Sequence, residues 1–215
     1  MRVLLACEES QAVCKEFRRL GHEAYSCDTE PCSGGHPEWH IQGDAMRPLW
    51  GGRWDVVIAF PPCTYLANSG VKHMYEGGKK ENGFDMDRVE KMEAGARFFN
   101  QFVLYGKTGG KIAIENPIQH KYARELINKY NQIIHPYMFG HMEQKSTCIW
   151  TFNLPLLKET DNVYEDMMKL SYPERAKVHY CPPGPDRQKI RSKTFHGIAK
   201  AMAEQWGGDI TINNK

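Results

Sequence analysis

From Val56 to Phe60, inside the stretch WDVVIAF, five consecutive residues carry no polar side chain. A strand with one wet face alternates apolar and polar residues, so an unbroken apolar run implies cover on both faces. That is the habit of a strand inside a parallel sheet with helices packed on either side. The runs RVLLAC (2–7), EAYSCD (23–28) and KIAIEN (111–116) repeat the theme, and amphipathic stretches separate them. The alternation predicts an α/β fold, a mostly parallel sheet with helices on both faces.

The connecting segments carry their own signals. Ser10 is placed to cap a helix whose Val13, Phe17 and Leu20 recur at spacings of three and four, with Gly21 as its left-handed stop. A short segment opens at Ile41 and closes on Gly43 and Asp44. From Asp85 to Gly106, Val89, Met92, Ala96, Phe99 and Val103 form the apolar face of a long helix. HKYARELINKY (120–130) is expected to be helical, QIIHPYMF (132–139) and STCIWTF (146–152) to be strands, and KTFHGIAKAMAEQW (193–206) to be the last helix. The polar, glycine-containing stretch from Cys63 to about Phe84 reads as a lid or disordered loop. Five of the twelve prolines fall between Pro155 and Arg187, which reads as a small insertion in a single domain spanning 1–215.

Composition narrows the classes. At 215 residues and 41% hydrophobic the chain can bury one good core, and a net charge of +2 excludes a strongly basic nucleic-acid coat protein while leaving room for a local basic patch. No apolar stretch approaches the length of a membrane span, and Glu8 and Glu9 interrupt the N-terminal apolar run, so a cytoplasmic protein with no membrane partner is expected. Seven cysteines in such a setting are thiols, ligands or a nucleophile rather than a disulfide framework.

In an open α/β sheet, ligands bind in the crevice beyond the carboxyl ends of the strands, and Glu8, Asp28, Asp44 and Cys63 all follow predicted strand ends. Cys63 comes directly after Pro61 and Pro62. Two prolines preset φ and donate no N–H, so they hold the next residue in a defined extended turn, which suits a thiol that must approach an aromatic ring at a fixed angle. Glu115 closes the KIAIEN strand, where it can protonate the ring under attack. Cys27, Cys32, His36 and His40 form a set with zinc-type donors but an uncommon spacing, and CSGGHPEWH suits an ordinary loop equally well, so no metal is assigned.

PPC at 61–63 followed by ENP at 115–117 resembles the paired catalytic motifs of the DNA cytosine-5 methyltransferases, and the order of elements resembles the small phage-type members of that family. The resemblance extends to GDA at 43–45, EQKST at 143–147 and the final helix. It implies a Rossmann-like methyltransferase fold in a bacterial or phage-infected cell, S-adenosylmethionine as cofactor, and DNA as substrate, either single-stranded or duplex with a flipped base. It implies Cys63 as nucleophile on C6 and Glu115 as proton donor to N3. Asp28 would bind the ribose hydroxyls, Asp44 the adenine amine and Phe60 the adenine ring, with Pro61, Ala6, Ser10 and Glu8 completing the cofactor side. Pro62, Ser69, Asn116, Pro117, Gln144 and Lys145 would line the base.

This chain also departs from the family pattern. ACEESQA stands where a glycine-rich turn is usual, only about 155–187 is available in place of a large target-recognition region, and Lys145 replaces an arginine in EQKST. The same chemistry on RNA or a free cytosine nucleotide, transfer of another one-carbon group, and a binding module without turnover are therefore the alternatives. Phosphate contacts are expected from Lys72, Lys79 and Lys80 and from Arg187, Lys189, Arg191 and Lys193.

Overall fold

The computed structural model describes residues 1–185 and 187–208. Its strands are β1 (Arg2–Ala6), β2 (Glu23–Asp28), β3 (His40–Gln42), β4 (Val56–Ala59), β5 (Ile112–Pro117), β6 (Gln132–Ile134) and β7 (Thr147–Phe152). They form one sheet in the order β3-β2-β1-β4-β5-β7-β6. β1 to β5 pair in parallel, and β7 runs antiparallel to both β5 and β6. This is the α/β architecture with a mostly parallel sheet that the apolar runs predict, and the Rossmann-like arrangement that the resemblance implies. Strand order reverses between β1 and β4, and the crevice above that switch point is where such sheets take ligands.

The helices are α1 (Ala12–Arg19), α2 (Met46–Gly51), α3 (Met86–Lys107), α4 (Tyr164–Met168), α5 (Tyr172–Arg175), α6 (Arg187–Ser192) and α7 (His196–Gly207). Period-two alternation in the central strands feeds two separate cores. Val3, Leu5, Val56 and Ile58 pack with Val13 and Phe17 of α1 and with Ile198, Met202 and Trp206 of α7. Leu4, Ala6, Val57 and Ala59 face the other way, toward Leu49 of α2 and Met92, Phe99, Phe102 and Val103 of α3. All four residues of β4 are buried, as a strand covered on both faces requires. No helix among the described residues is long and apolar enough to cross a membrane.

Four local expectations need correction. Helix α1 is not capped by Ser10, whose hydroxyl accepts only from the Ala12 amide at 3.4 Å. Its N-cap is Gln11, in the left-handed region at φ 55°. Gly21 does sit at φ +83° beyond its C-terminus. The stretch 120–130 is no helix and makes only a 3-10 turn at Ala123–Glu125. The Leu126 carbonyl, which a helix to Tyr130 would use, instead accepts Asn100 Nδ2 at 2.9 Å, and just beyond it the Asn128 carbonyl accepts the Trp150 indole at 2.6 Å. The strand expected over 132–139 stops at Ile134, because Pro136 has no N–H for a ladder and instead opens a 3-10 turn. The segment after Cys63 folds into 3-10 turns at Asn68–Met74, Glu76–Gly78 and Lys80–Asn82, and buried Leu66 and Met74 pin it to the α3 core.

Candidate active site

The loops leaving β4 and β5 are fastened to one another. Asn116 is 1% exposed, and its Nδ2 donates to the Pro61 carbonyl at 2.8 Å. Further along, the Asn68 amide donates to the Ile118 carbonyl at 2.8 Å and the His120 amide to the Leu66 carbonyl at 2.9 Å. The His120 ring meets the Tyr65 carbonyl at 2.9 Å, and both Leu66 and Ala67 donate their amides to the carbonyl of Cys63. The turn carrying Cys63 is therefore held by its prolines from one side and by the Asn116–His120 loop from the other.

Two ionisable groups sit at the adjacent ends of these strands. The Cys63 thiol is pushed up from its ordinary range by burial first and by the Glu115 carboxylate second, while Lys145 and Arg191 pull it back. Burial likewise raises the Glu115 carboxyl against the pull of Lys145. Four groups thus share one electrostatic neighbourhood: a thiol, a carboxyl and two cations. The Glu115 carboxylate opposes ionisation of the neighbouring thiol. Lys145 Nζ donates to the Arg191 carbonyl at 3.0 Å, which fixes α6 to the EQKST segment.

The EQKST segment is anchored from a second direction. Glu143, 5% exposed, accepts the amides of Lys177 and Val178, each at 3.1 Å, and the Gln144 amide donates to the Arg175 carbonyl at 2.6 Å. The segment 172–178 is thus part of the wall behind Lys145. Lys145 is half-buried and Gln144 exposed, Pro117 ends β5, and Pro62 and Ser69 are exposed at the mouth.

At the other side of the switch point, the β1–α1 turn and the β2–β3 loop form one unit. Gln11 accepts the His36 amide at 3.1 Å and donates to the His36 carbonyl at 2.7 Å and to Ser26 Oγ at 3.2 Å. Cys7 and Gln11 both take positive φ, at 60° and 55°, which supplies the left-handed turns that glycines would otherwise make. Gly34 lies where a Cβ would strike the Gln11 side chain. Cys7 follows β1, and its thiol is driven up by burial and then by Asp28, Cys27 and Asp44, so these groups cluster at the strand ends. Asp28 Oδ1 accepts the Glu30 amide at 3.0 Å, and exposed Asp44 accepts the Met46 amide at 2.9 Å.

Three residues expected on the cofactor side are withdrawn from it. Ala6 is fully buried in β1, and Pro61 is buried with its carbonyl bound by Asn116. Glu8 is 4% exposed and turned under α1, with one oxygen accepting the Val13 amide at 2.6 Å and the other the Cys14 amide at 3.2 Å. It caps the helix, a role its position just before α1 allows but does not single out. Ser10, Asp28, Asp44 and Phe60 keep partial or full exposure, although Phe60 packs mainly against the α1/α7 core.

Among the described residues no group of three or more His, Cys, Asp or Glu is arranged to hold a metal ion. His40 spends its nitrogens on Ser26 Oγ at 2.8 Å and the Glu30 carbonyl at 3.0 Å, while His36 stacks on Trp39, so these two do not converge with Cys27 and Cys32. Sequence reading missed Glu143 as an anchor and Arg191 as a member of the site, counting the latter only among surface cations. No local pattern marks Arg191, because its partners lie some 46 or more residues away in the chain.

No family profile matches the chain, and no curated protein matches it. Among solved structures, a protein described as a DNA modification methyltransferase encoded within a prophage of E. coli is similar at 12% identity with a TM-score of 0.39. That similarity covers 69% of this chain and 45% of the other, so the chain spans less than half of the structure it matches.

Proposed function

We propose that the chain transfers a methyl group from S-adenosylmethionine to C5 of cytosine in DNA, through a covalent bond between Cys63 Sγ and C6 of the base. The observation that carries this reading is the pairing of a proline-braced thiol with a half-buried carboxyl at the ends of adjacent parallel strands, in one electrostatic neighbourhood with two cations.

In that chemistry the Cys63 thiolate attacks C6 and a sulfur–carbon bond forms. The electron pair displaced from the C5–C6 double bond moves into the ring, where the charge is quenched as Glu115 delivers its proton to N3. Burial raises the Glu115 carboxyl and so favours the protonated form needed for that delivery. C5, now electron-rich, takes the methyl group; its proton then leaves to a base, the double bond returns, Cys63 departs as thiolate and N3 returns its proton to Glu115. S-adenosylmethionine supplies the electrophilic methyl group. The donor set fits such a nucleoside cofactor: carboxylates of Asp28 and Asp44 lie beside the switch point for hydroxyl and amine groups, and Phe60 lies beyond β4.

A base within a duplex has to leave the stack to reach Cys63, and the exposed Lys72, Lys79, Lys80, Lys189 and Lys193 suit contacts to the flanking phosphates. The test is an oligonucleotide carrying 5-fluorocytosine, incubated with S-adenosylmethionine and followed by mass spectrometry, with Cys63→Ala as control. Fluorine at C5 blocks the final elimination and leaves the adduct attached. An adduct requiring both cofactor and Cys63 is expected; its absence on both duplex and single-stranded DNA, with the protein folded, would shift the substrate to RNA or free nucleotides.

A further inference from the structure

Lys15, Arg18 and Arg19 stand at i, i+3 and i+4 of α1, so they share one face of the helix, and His22 follows just past its end. Together with His36 and Trp39 from the β2–β3 loop they line an open groove of about 580 Å³. Among the described residues no Asp or Glu lines it. The groove runs along α1 toward the turn that precedes β2, whereas Cys63 follows the carboxyl end of β4. Since β2 and β4 both run parallel to β1, that turn and Cys63 lie at opposite ends of the sheet.

The cations of this groove differ in how their charge is spent. Arg19 is paired, with Glu16 at 2.8 Å and with Glu204 at 3.4 Å. Lys15 and Arg18 form no ion pair among the described residues. Lys15, which is exposed, donates from Nζ to the Gly34 carbonyl at 3.2 Å, and Arg18 donates from Nε to the Ala24 carbonyl at 2.8 Å. The Arg18 guanidinium is also held against two rings, 5.0 Å from the Tyr25 centroid and 5.0 Å from that of Trp39. His36 stacks on Trp39 with 3.7 Å between centroids and 10° between planes, and it keeps 40% of its side chain exposed, with Glu38 at 3.0 Å from Nδ1.

Fixed cations in a row beside an aromatic edge match an unpaired polynucleotide strand, whose phosphates recur along its length and whose bases offer flat faces for stacking. A lipid surface is a poor match, because the one large apolar ring of the groove, Trp39, is half-buried under Arg18 and His36. An acidic peptide would satisfy the cations and leave the rings unused. We propose that this groove binds a single-stranded nucleic-acid segment, with Lys15 and Arg18 on its phosphates and a base against His36, as a contact surface separate from the site at Cys63. The proposal stands whatever reaction Cys63 performs.

The test is fluorescence anisotropy with a labelled oligo(dT) strand across a salt series. Oligo(dT) contains no cytosine and no cofactor is added, so the outcome is independent of 5-fluorocytosine trapping. Each phosphate contact on a single strand adds about 0.7 to the slope of log K against log salt, which is roughly fivefold in affinity at 0.1 M salt. Lys15→Gln and Arg18→Gln should each remove that much. Lys107→Gln, on the opposite face of the sheet, should remove nothing. His36→Ala should weaken the single strand about fivefold and leave an oligo(dA)·oligo(dT) duplex, whose bases are stacked inside, unaffected. Lys15→Gln changes only an exposed side chain, so it decides the matter if Arg18→Gln fails to fold. An unchanged slope in Lys15→Gln, or an equal loss in Lys107→Gln, overturns the proposal. Tighter binding of polyglutamate than of oligo(dT), lost in Lys15→Gln, would make the occupant an acidic peptide and overturn it as well.

Discussion

Replacing Glu8 by Gln should alter the stability of this protein in a way that depends on pH, and the sign follows from the fold. Glu8 is buried beneath α1 and receives two amide hydrogen bonds, from Val13 and Cys14. Those bonds, and the positive end of the helix dipole, favour the carboxylate. Burial disfavours it and is the larger effect, raising the carboxyl from 4.5 to about 7. A folded-state pKa above the unfolded value means that the folded chain holds the proton more tightly. This group's contribution to stability is therefore full below about pH 4.5 and is lost as pH rises through about 7. At about 1.4 kcal/mol per unit, the loss is on the order of 3 kcal/mol.

Glutamine does not titrate, so the rest of the protein's pH dependence cancels when mutant and parent are compared at each pH. Near pH 5 both side chains are neutral acceptors for the Val13 amide, and the two proteins should differ only by the poorer match of the glutamine NH2 to the Cys14 amide. At pH 8 the parent carries a buried charge and the variant does not, so the difference should move by about 3 kcal/mol in favour of Glu8→Gln. Urea unfolding at the two pH values measures this. A difference constant from pH 5 to pH 8 would show that the two amide bonds, not burial, govern Glu8.

Two further changes probe the frame around the site. Glu143→Ala strips both acceptors from the Lys177 and Val178 amides and should cost about 2 kcal/mol, mostly as local opening of 172–180, so limited proteolysis should cut there well before global unfolding; cutting at the parent rate would count against the anchor. Gly197→Ala should destabilise by about 1–3 kcal/mol although alanine is the better helix former, because a Cβ there would lie inside the Phe139 carbonyl oxygen; an unchanged or raised melting temperature would refute the packing argument.

What the sequence made legible and what it hid divide along a physical line. Strands β1, β4 and β5 are readable because burial on both faces forces an unbroken apolar run, and α3 is readable because one apolar stripe repeats over 22 residues. The stretch 120–130 is not readable, since the groups that unwind it, Asn100 and Trp150, lie more than 20 residues away. At the site, Cys63 and Glu115 stand out because PPC and ENP are local signals. Glu8 carries two local readings, cofactor ligand and helix cap, and only its burial under α1 decides between them. Arg191 lies near Lys145 through a contact 46 residues apart in the chain, which no local pattern announces.

The missing glycines of ACEESQA yield to the same reasoning. A left-handed residue with a Cβ costs about 1–2 kcal/mol relative to the ordinary conformation, and this turn contains two, Cys7 and Gln11. Gln11 offsets that strain with three hydrogen bonds to Ser26 and His36, and Glu8 adds two more at the start of α1. A glycine turn leaves open space so that a backbone can approach a ligand; here the Gln11 side chain occupies the space beside Gly34 and ties the turn to the β2–β3 loop. The crevice over β1 is consequently shaped by side chains that are held in place. On the function proposed above, the burden of cofactor recognition would fall on Asp28 and Asp44, beyond the ends of β2 and β3, rather than on the turn after β1.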